Sequence, residues 1–92
     1  MKFPIGLRLN AKVNNITKLG LFVTLPHHHH GLIFYKDFGD KWESARNKYS
    51  IGDEVRAVII NNHQGKLSLS LSQVNNPDLI DPTNEFKDSK DF

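Results

Sequence analysis

Cysteine is absent from the 92 residues. Disulfides, thiolate metal sites and a cysteine nucleophile are thereby excluded. Long apolar runs are missing too: no stretch approaches the roughly 20 residues that a membrane-crossing helix needs. The opening MKFPIGLRLN lacks the roughly 7–15-residue apolar centre of a secretory signal. A reducing cytoplasm is the expected location. There is no glycine loop of the phosphate-cradling kind and no H-E-x-x-H spacing. Asp37, Asp40 and Glu43 lie close in sequence, but helix capping explains carboxylates at a helix start. So short a chain also has little room for a closed pocket. No enzyme and no cofactor are expected.

Hydrophobic residues make up 38% and charged residues 24%, the balance of one folded soluble domain. Charge divides the chain. Residues 1–76 carry ten Lys or Arg against five Asp or Glu, a net +5; residues 77–92 carry two Lys against five acids, a net −3. The basic part reads as the folded domain, over residues 1–74. Residues 75–92, with Pro77, Pro82 and no periodicity, read as a flexible acidic tail. Phe86 and Phe92 stand among its acids as possible anchors, with an idle tail the preferred reading.

Residues 7–14 (LRLNAKVN) alternate, placing Leu7, Leu9, Ala11 and Val13 on one strand face. Residues 20–25 (GLFVTL) put Leu21, Val23 and Leu25 inward and Phe22 and Thr24 outward. Residues 31–35 (GLIFY) form a shorter strand with two apolar faces, so its period does not choose between them. Residues 36–50 break the pattern. Asp40 and Glu43 resemble a capping box, and Trp42, Ala45 and Tyr49 share one helical stripe. That helix is expected to plug a barrel end. Residues 54–60 (EVRAVII) are rich in β-branched residues, as strands are. Residues 61–65 make a hairpin loop with Gly65 supplying an unusual backbone angle. Residues 66–72 (KLSLSLS) send Leu67, Leu69 and Leu71 inward and Lys66, Ser68, Ser70 and Ser72 outward. Five short strands with a helix between the third and fourth follow the order of an all-β, five-stranded antiparallel OB-fold barrel. An open five-stranded sheet is the competitor, but it would leave unprotected edges.

The segments LGLFVTL, HGLIFYKDF, YSIGDEVRAVII and GKLSLSLS, in this order and spacing over about residues 6–72, resemble the S1-type RNA-binding domain of ribosomal and ribonuclease proteins. The resemblance implies an OB barrel that binds RNA. Of the family's contact positions, Phe22 keeps the second aromatic of the strand-two motif. Leu19 stands where the first is usually aromatic, and Phe34 where a histidine is common. Asn62 takes the place of an acidic residue and Ser68 that of an arginine, with Lys66 a nearby cation.

An outward ring offers a flat surface to any base. Phe22 is the first such platform; of the adjacent Phe34 and Tyr35, the resemblance puts Phe34 at the surface. Lys12, Lys18, Lys36 and Lys66, with Arg8, supply cations for phosphates. Ser68, Ser70, Asn14 and Asn62 offer hydrogen bonds to sugars or base edges. The expected partner is single-stranded RNA, bound with little sequence preference by a monomer, with the ribosome or an RNA-processing complex as wider partners. The alternative is a barrel of this family that binds protein and no longer nucleic acid. His27, His28, His29 and His30 form an internal run. Consecutive residues cannot all aim at one ion, so a metal site is the minor expectation. A pH-sensitive patch beside the RNA face is the other.

Overall fold

Strand alternation decides most of this architecture. The computed structural model describes residues 3–79. It contains β1 (Arg8–Thr17), β2 (Gly20–Leu25), β3 (His29–Phe34), β4 (Glu54–His63) and β5 (Lys66–Ser70). The strands close into a barrel in the order β1-β2-β3-β5-β4, with β4 returning to β1. Leu9, Ala11, Val13, Leu21, Val23, Leu25, Ile33, Val55, Ala57, Ile59, Leu67 and Leu69 fill it and are buried. Full closure leaves no open sheet edge, so the open-sheet alternative falls.

Four of the five ladders are antiparallel; the fifth, between β3 and β5, is parallel. The helical segment after β3 carries the chain across the barrel end, where β4 pairs with β1. The hairpin after β4 then returns β5 alongside β3 in the same direction. That hairpin turns on Gln64 and Gly65, both at positive φ (53° and 79°), as a tight two-residue hairpin requires. Gly20 is needed for a different reason: a Cβ there would run into the Ile33 carbonyl oxygen.

The barrel end is plugged, as the Trp42 stripe predicts, but the cap differs. Residues Tyr35–Lys41 coil as a 3₁₀ segment kinked at Gly39, and α1 (Trp42–Lys48) begins only afterwards, with Lys41 at its cap and no side-chain cap bond. Asp40 and Glu43 therefore form no capping box. Trp42 is buried, and Phe38, Ala45 and Tyr49 pack on the core beneath it. The Phe38 ring lies 5.3 Å from that of Trp42 and 6.1 Å from that of Tyr49.

Two polar clasps hold the chain beyond β5. Asp37 Oδ1 accepts from the Ser70 and Ser72 hydroxyls, and Oδ2 accepts from the Leu71 and Ser72 N–H groups at 2.8 and 3.1 Å. Ser70 thus points away from the core, as its alternation requires, yet is fully buried instead of reaching solvent. Arg8 makes the second clasp. Its guanidinium donates to the carbonyls of Gly6 (2.8 Å), Val74 (2.8 Å), Asn76 (2.7 Å) and Leu79. The expected phosphate cation of strand one is instead a tether. Val58 lies in register between Arg8 and Ser70 and is fully buried, although it is on the outer side of β4. Residues 80–92, with Phe86 and Phe92, lie outside the described residues.

Charge-assisted hydrogen bonds contribute more than neutral ones, so Arg8→Met is expected to cost about 2–3 kcal/mol of unfolding free energy. A urea titration measures it, and amide exchange at Asn76 and Leu79 should accelerate. Unchanged exchange at both would show that the clasp does not hold this segment.

Candidate nucleic-acid interface

The outer face of β2, β3 and β5 is built by the same alternation that fills the barrel. Cross-strand register places Phe22 opposite Leu32, Leu32 opposite Ser68, and Ser68 opposite Asn61. These four make one row across the sheet. Phe34 lies two residues beyond Leu32 and so diagonal to Phe22, a spacing of about 7–8 Å that is within reach of aromatic side chains. Phe22 is half-buried and Phe34 is 43% exposed. Between them runs a groove of about 340 Å³, floored by Leu32 and the backbone of Gly31 and bordered by Lys66, Ser68 and His30.

Tyr35 is also exposed, at 38%. Adjacent residues of a regular strand take opposite faces, one towards the core and one towards solvent, but Phe34 and Tyr35 are both exposed because β3 ends at Phe34 and the backbone turns into the 3₁₀ segment. The Tyr35 N–H donates to the Leu19 carbonyl at 2.9 Å, which brings the β1–β2 turn, with exposed Lys18 and Leu19, beside this end of the face. Lys36 follows on the same side. Among the described residues the one ion pair is Arg46 with Glu43, at 3.5 Å. Lys18, Lys36 and Lys66 are thus exposed and unpaired among those residues. Lys12 stands further off, with Thr24 and Glu54 as its cross-strand neighbours.

Asn62 does not join the row. The β4–β5 register shifts between Ile59 and Asn61, and a one-residue bulge exchanges the faces of everything beyond it. Asn61 therefore meets Ser68. Asn62 is in register with inward Leu67, and its Nδ2 donates to the Phe3 carbonyl at 3.0 Å. Phe3 is itself buried, although the opening residues show no strand pattern. Asn14, on β1, donates to Thr24 Oγ1 at 2.8 Å.

The histidines diverge. Pro26–His28 form a 3₁₀ turn in which His27 and His28 both take positive φ (62° and 64°). Alternation in β3 then separates the other two. His29 turns its ring against Phe3, centroids 4.8 Å apart, while His30 lines the groove. Among the described residues no three His, Cys, Asp or Glu side chains converge to hold a metal ion. Leu32, His30 and Asn61 belong to the face and carry no distinct sequence signal: the first sits in a strand with two apolar faces, the second in a homopolymer run, the third behind a bulge.

A small five-stranded closed barrel with one short helix between the third and fourth strands is of the OB-fold class. The family model for the S1 RNA binding domain matches residues 2–73, and the chain belongs to that family. It is 30% identical over 94 residues to the uncharacterized protein YabR of Bacillus subtilis, spanning all of this chain and 73% of that protein. It is 35% identical over 77 residues to small ribosomal subunit protein bS1 of Chlamydia trachomatis, covering 79% of this chain but 14% of the relative. The solution structure of GSP13 from Bacillus subtilis superposes with a TM-score of 0.70 at 25% identity, covering 96% of this chain and 72% of that one. An archaeal complex of a/eIF2alpha, aDim2p and rRNA from Pyrococcus horikoshii contains a chain of the same fold, with a TM-score of 0.67 at 22% identity, covering 98% of this chain and 57% of that one.

The exposed Phe34 and the half-buried Phe38 predict different costs on truncation. Phe34→Ala should change unfolding free energy by less than about 1 kcal/mol, while Phe38→Ala, which removes the ring between Trp42 and Tyr49, should cost about 2 kcal/mol or more. Denaturant titration of the two variants checks this; equal losses would mean that Phe34 supports the fold.

Proposed function

We propose that this chain is a small module that holds single-stranded RNA across the β2–β3–β5 face, without catalysis and with little base discrimination in the Phe22 groove. The observation that carries this reading is the pairing of two outward rings on an apolar groove bordered by Lys66, with Lys18 and Lys36, exposed and unpaired among the described residues, towards its Phe34 end. Base stacking on such rings is worth about 1–3 kcal/mol per base and tolerates every base. Lys66, Lys36 and Lys18 provide the counter-charge for phosphates. A ribosomal relative and a fold neighbour solved with rRNA support a setting in translation or RNA metabolism, with the ribosome or an RNA-processing assembly as partner. A cytoplasmic monomer fits this reading. Among the described residues no helix is long and apolar enough to cross a membrane.

The protein-binding alternative draws on one observation: Leu19, 48% exposed, extends the apolar surface beside Phe34 and Tyr35. The two readings separate in a titration. On the RNA reading, Phe22→Ala leaves the domain folded and weakens binding of a single-stranded oligonucleotide by about 1–3 kcal/mol. Engagement of three phosphates gives a log–log salt slope near −2. An NMR titration at low salt that moves no resonance in residues 18–24, 31–36 or 61–70 would favour the protein-binding barrel.

A further inference from the structure

Two residues along each strand from the Phe22–Leu32–Ser68–Asn61 row, the ladder registers set out a second row of side chains. Lys12 on β1 is in register with Thr24, and Thr24 with His30. His30 and Lys66 each come one residue before the Gly31–Leu67 pair of the parallel ladder, so they stand side by side. Lys66 is in register with His63 on β4. Alternation turns the first four outward, because the residue beside each (Val13, Val23, Gly31 and Leu67) is buried. Beyond the β4 bulge, His63 faces the same way as Asn61 two residues before it. Lys12, His30, Lys66 and His63 are all exposed. Strand rise puts the two rows about 7 Å apart, a separation that lets one nucleotide lay its base on the first row and its phosphate on the second.

The second row carries the groups a phosphate needs. Lys12 and Lys66 are cations at any ordinary pH. Thr24 Oγ1 accepts from Asn14 Nδ2 at 2.8 Å, which leaves its own O–H free to donate. Imidazole is the side chain that changes charge between pH 5 and 8. The groups that face His30 are Thr24 on β2, Lys66 and Ser68 on β5, and His63 on β4, with His28 and His29 before it in the chain. No acid lines its groove among the described residues. Glu54, in register with Lys12, is the acid at the far end of the row. Of the four consecutive histidines, His30 is the one in the row. His29 packs on Phe3, and His27 and His28 lie on the turn outside it.

We propose that this row is the phosphate track of the strand whose bases lie on the ring row, and that His30 and His63 tighten its hold as pH falls. The proposal rests on the RNA reading above. The track runs across the strands on one side of Phe22, with Lys18 and Lys36 serving the Phe34 end.

The test is binding of labelled six-residue oligouridylate without terminal phosphates to the whole chain. Fluorescence anisotropy is read at pH 7.5 and 5.5 over a series of salt concentrations. Uracil and phosphodiesters keep their charge over this range. The wild type should bind at least about threefold more tightly at pH 5.5, with a log–log salt slope steeper by about 0.7 for each phosphate gained. The double variant His30→Gln, His63→Gln should lose both changes and bind like the wild type at pH 7.5. His28→Asn, which places a residue tolerant of positive φ on the turn, should keep both. Lys12→Gln should flatten the slope by about 0.7 at either pH. Equal wild-type affinity and slope at the two pH values would overturn the track. So would a gain that the double variant keeps or that His28→Asn removes, or an unchanged slope in Lys12→Gln. If binding is equal at both pH values and Phe22→Ala weakens it, the RNA reading stands without the track. If the oligomer binds at neither pH, both fall and the face is left to a protein partner.

Discussion

Closure of the barrel is the constraint on which everything else depends. Once β4 returns to β1, no strand can shift by one residue without exchanging its apolar and polar faces. Leu21 and Val23 must be inside, at 0% exposure, and Phe22 between them must be outside. Leu67 and Leu69 likewise oblige Ser68 outward. The face that carries Phe22 and Ser68 is therefore not an addition to the fold; it is the complement of the core, read at the alternate positions. Its rings are held by strands whose own inward residues are among the best packed in the molecule.

Where the regular pattern breaks, the face acquires its particular chemistry. The bulge at Ile60 places Asn61 opposite Ser68, and it sends Asn62 to the Phe3 carbonyl. The end of β3 at Phe34 frees Tyr35 from the alternation and leaves two adjacent rings exposed. Asp37 and Arg8 act at the other end of β5. Each uses a charge to satisfy hydrogen-bonding groups that no helix or sheet accommodates, which is why neither is free to contact a ligand. A count of charged residues treats Arg8 and Lys66 alike. The structure separates them by what they touch.

The barrel was legible because three of its strands obey a period of two so closely: the inward sets of β1, β2 and β5 follow from LRLNAKV, LFVTL and KLSLS alone, while EVRAVII shows a strand by its β-branched residues without choosing its faces. The Trp42–Ala45–Tyr49 stripe was equally plain. Sequence reasoning ran out where a long-range partner decides the outcome. Asp40 beside Glu43 imitates a cap, but the Gly39 kink moves the helix start past it. Ser70 alternates outward, yet a carboxylate 33 residues away covers it. Phe3 has no periodic context and is buried by contacts with His29 and Asn62. Of the face, Phe22, Phe34, Lys66 and Ser68 come together, with Lys36 and Lys18 at its Phe34 end. Lys12 stands apart beside Glu54, and Asn62 points elsewhere. A bulge leaves no mark in composition, so the Asn61–Asn62 distinction could come only from register.

Two of the departures from the S1-type pattern, at Phe34 and Ser68, act in one direction. Phe34 in place of a histidine exchanges a hydrogen-bonding ring for a purely stacking one. Ser68 in place of an arginine exchanges a charge for a hydroxyl. Both changes move the Phe22 groove away from electrostatics and directional bonds and towards stacking, which every base satisfies about equally. Affinity built this way depends weakly on salt, because only the flanking lysines release counterions. It also depends weakly on sequence, because rings and leucine side chains read no base edge. Any discrimination must then come from polar groups held in a fixed orientation off the sheet. Beyond Phe34 the Arg8 and Asp37 clasps bring parts of residues 71–79 against the barrel. The tether thus removes Arg8 from the phosphate track and leaves the counter-charge to the flanking lysines.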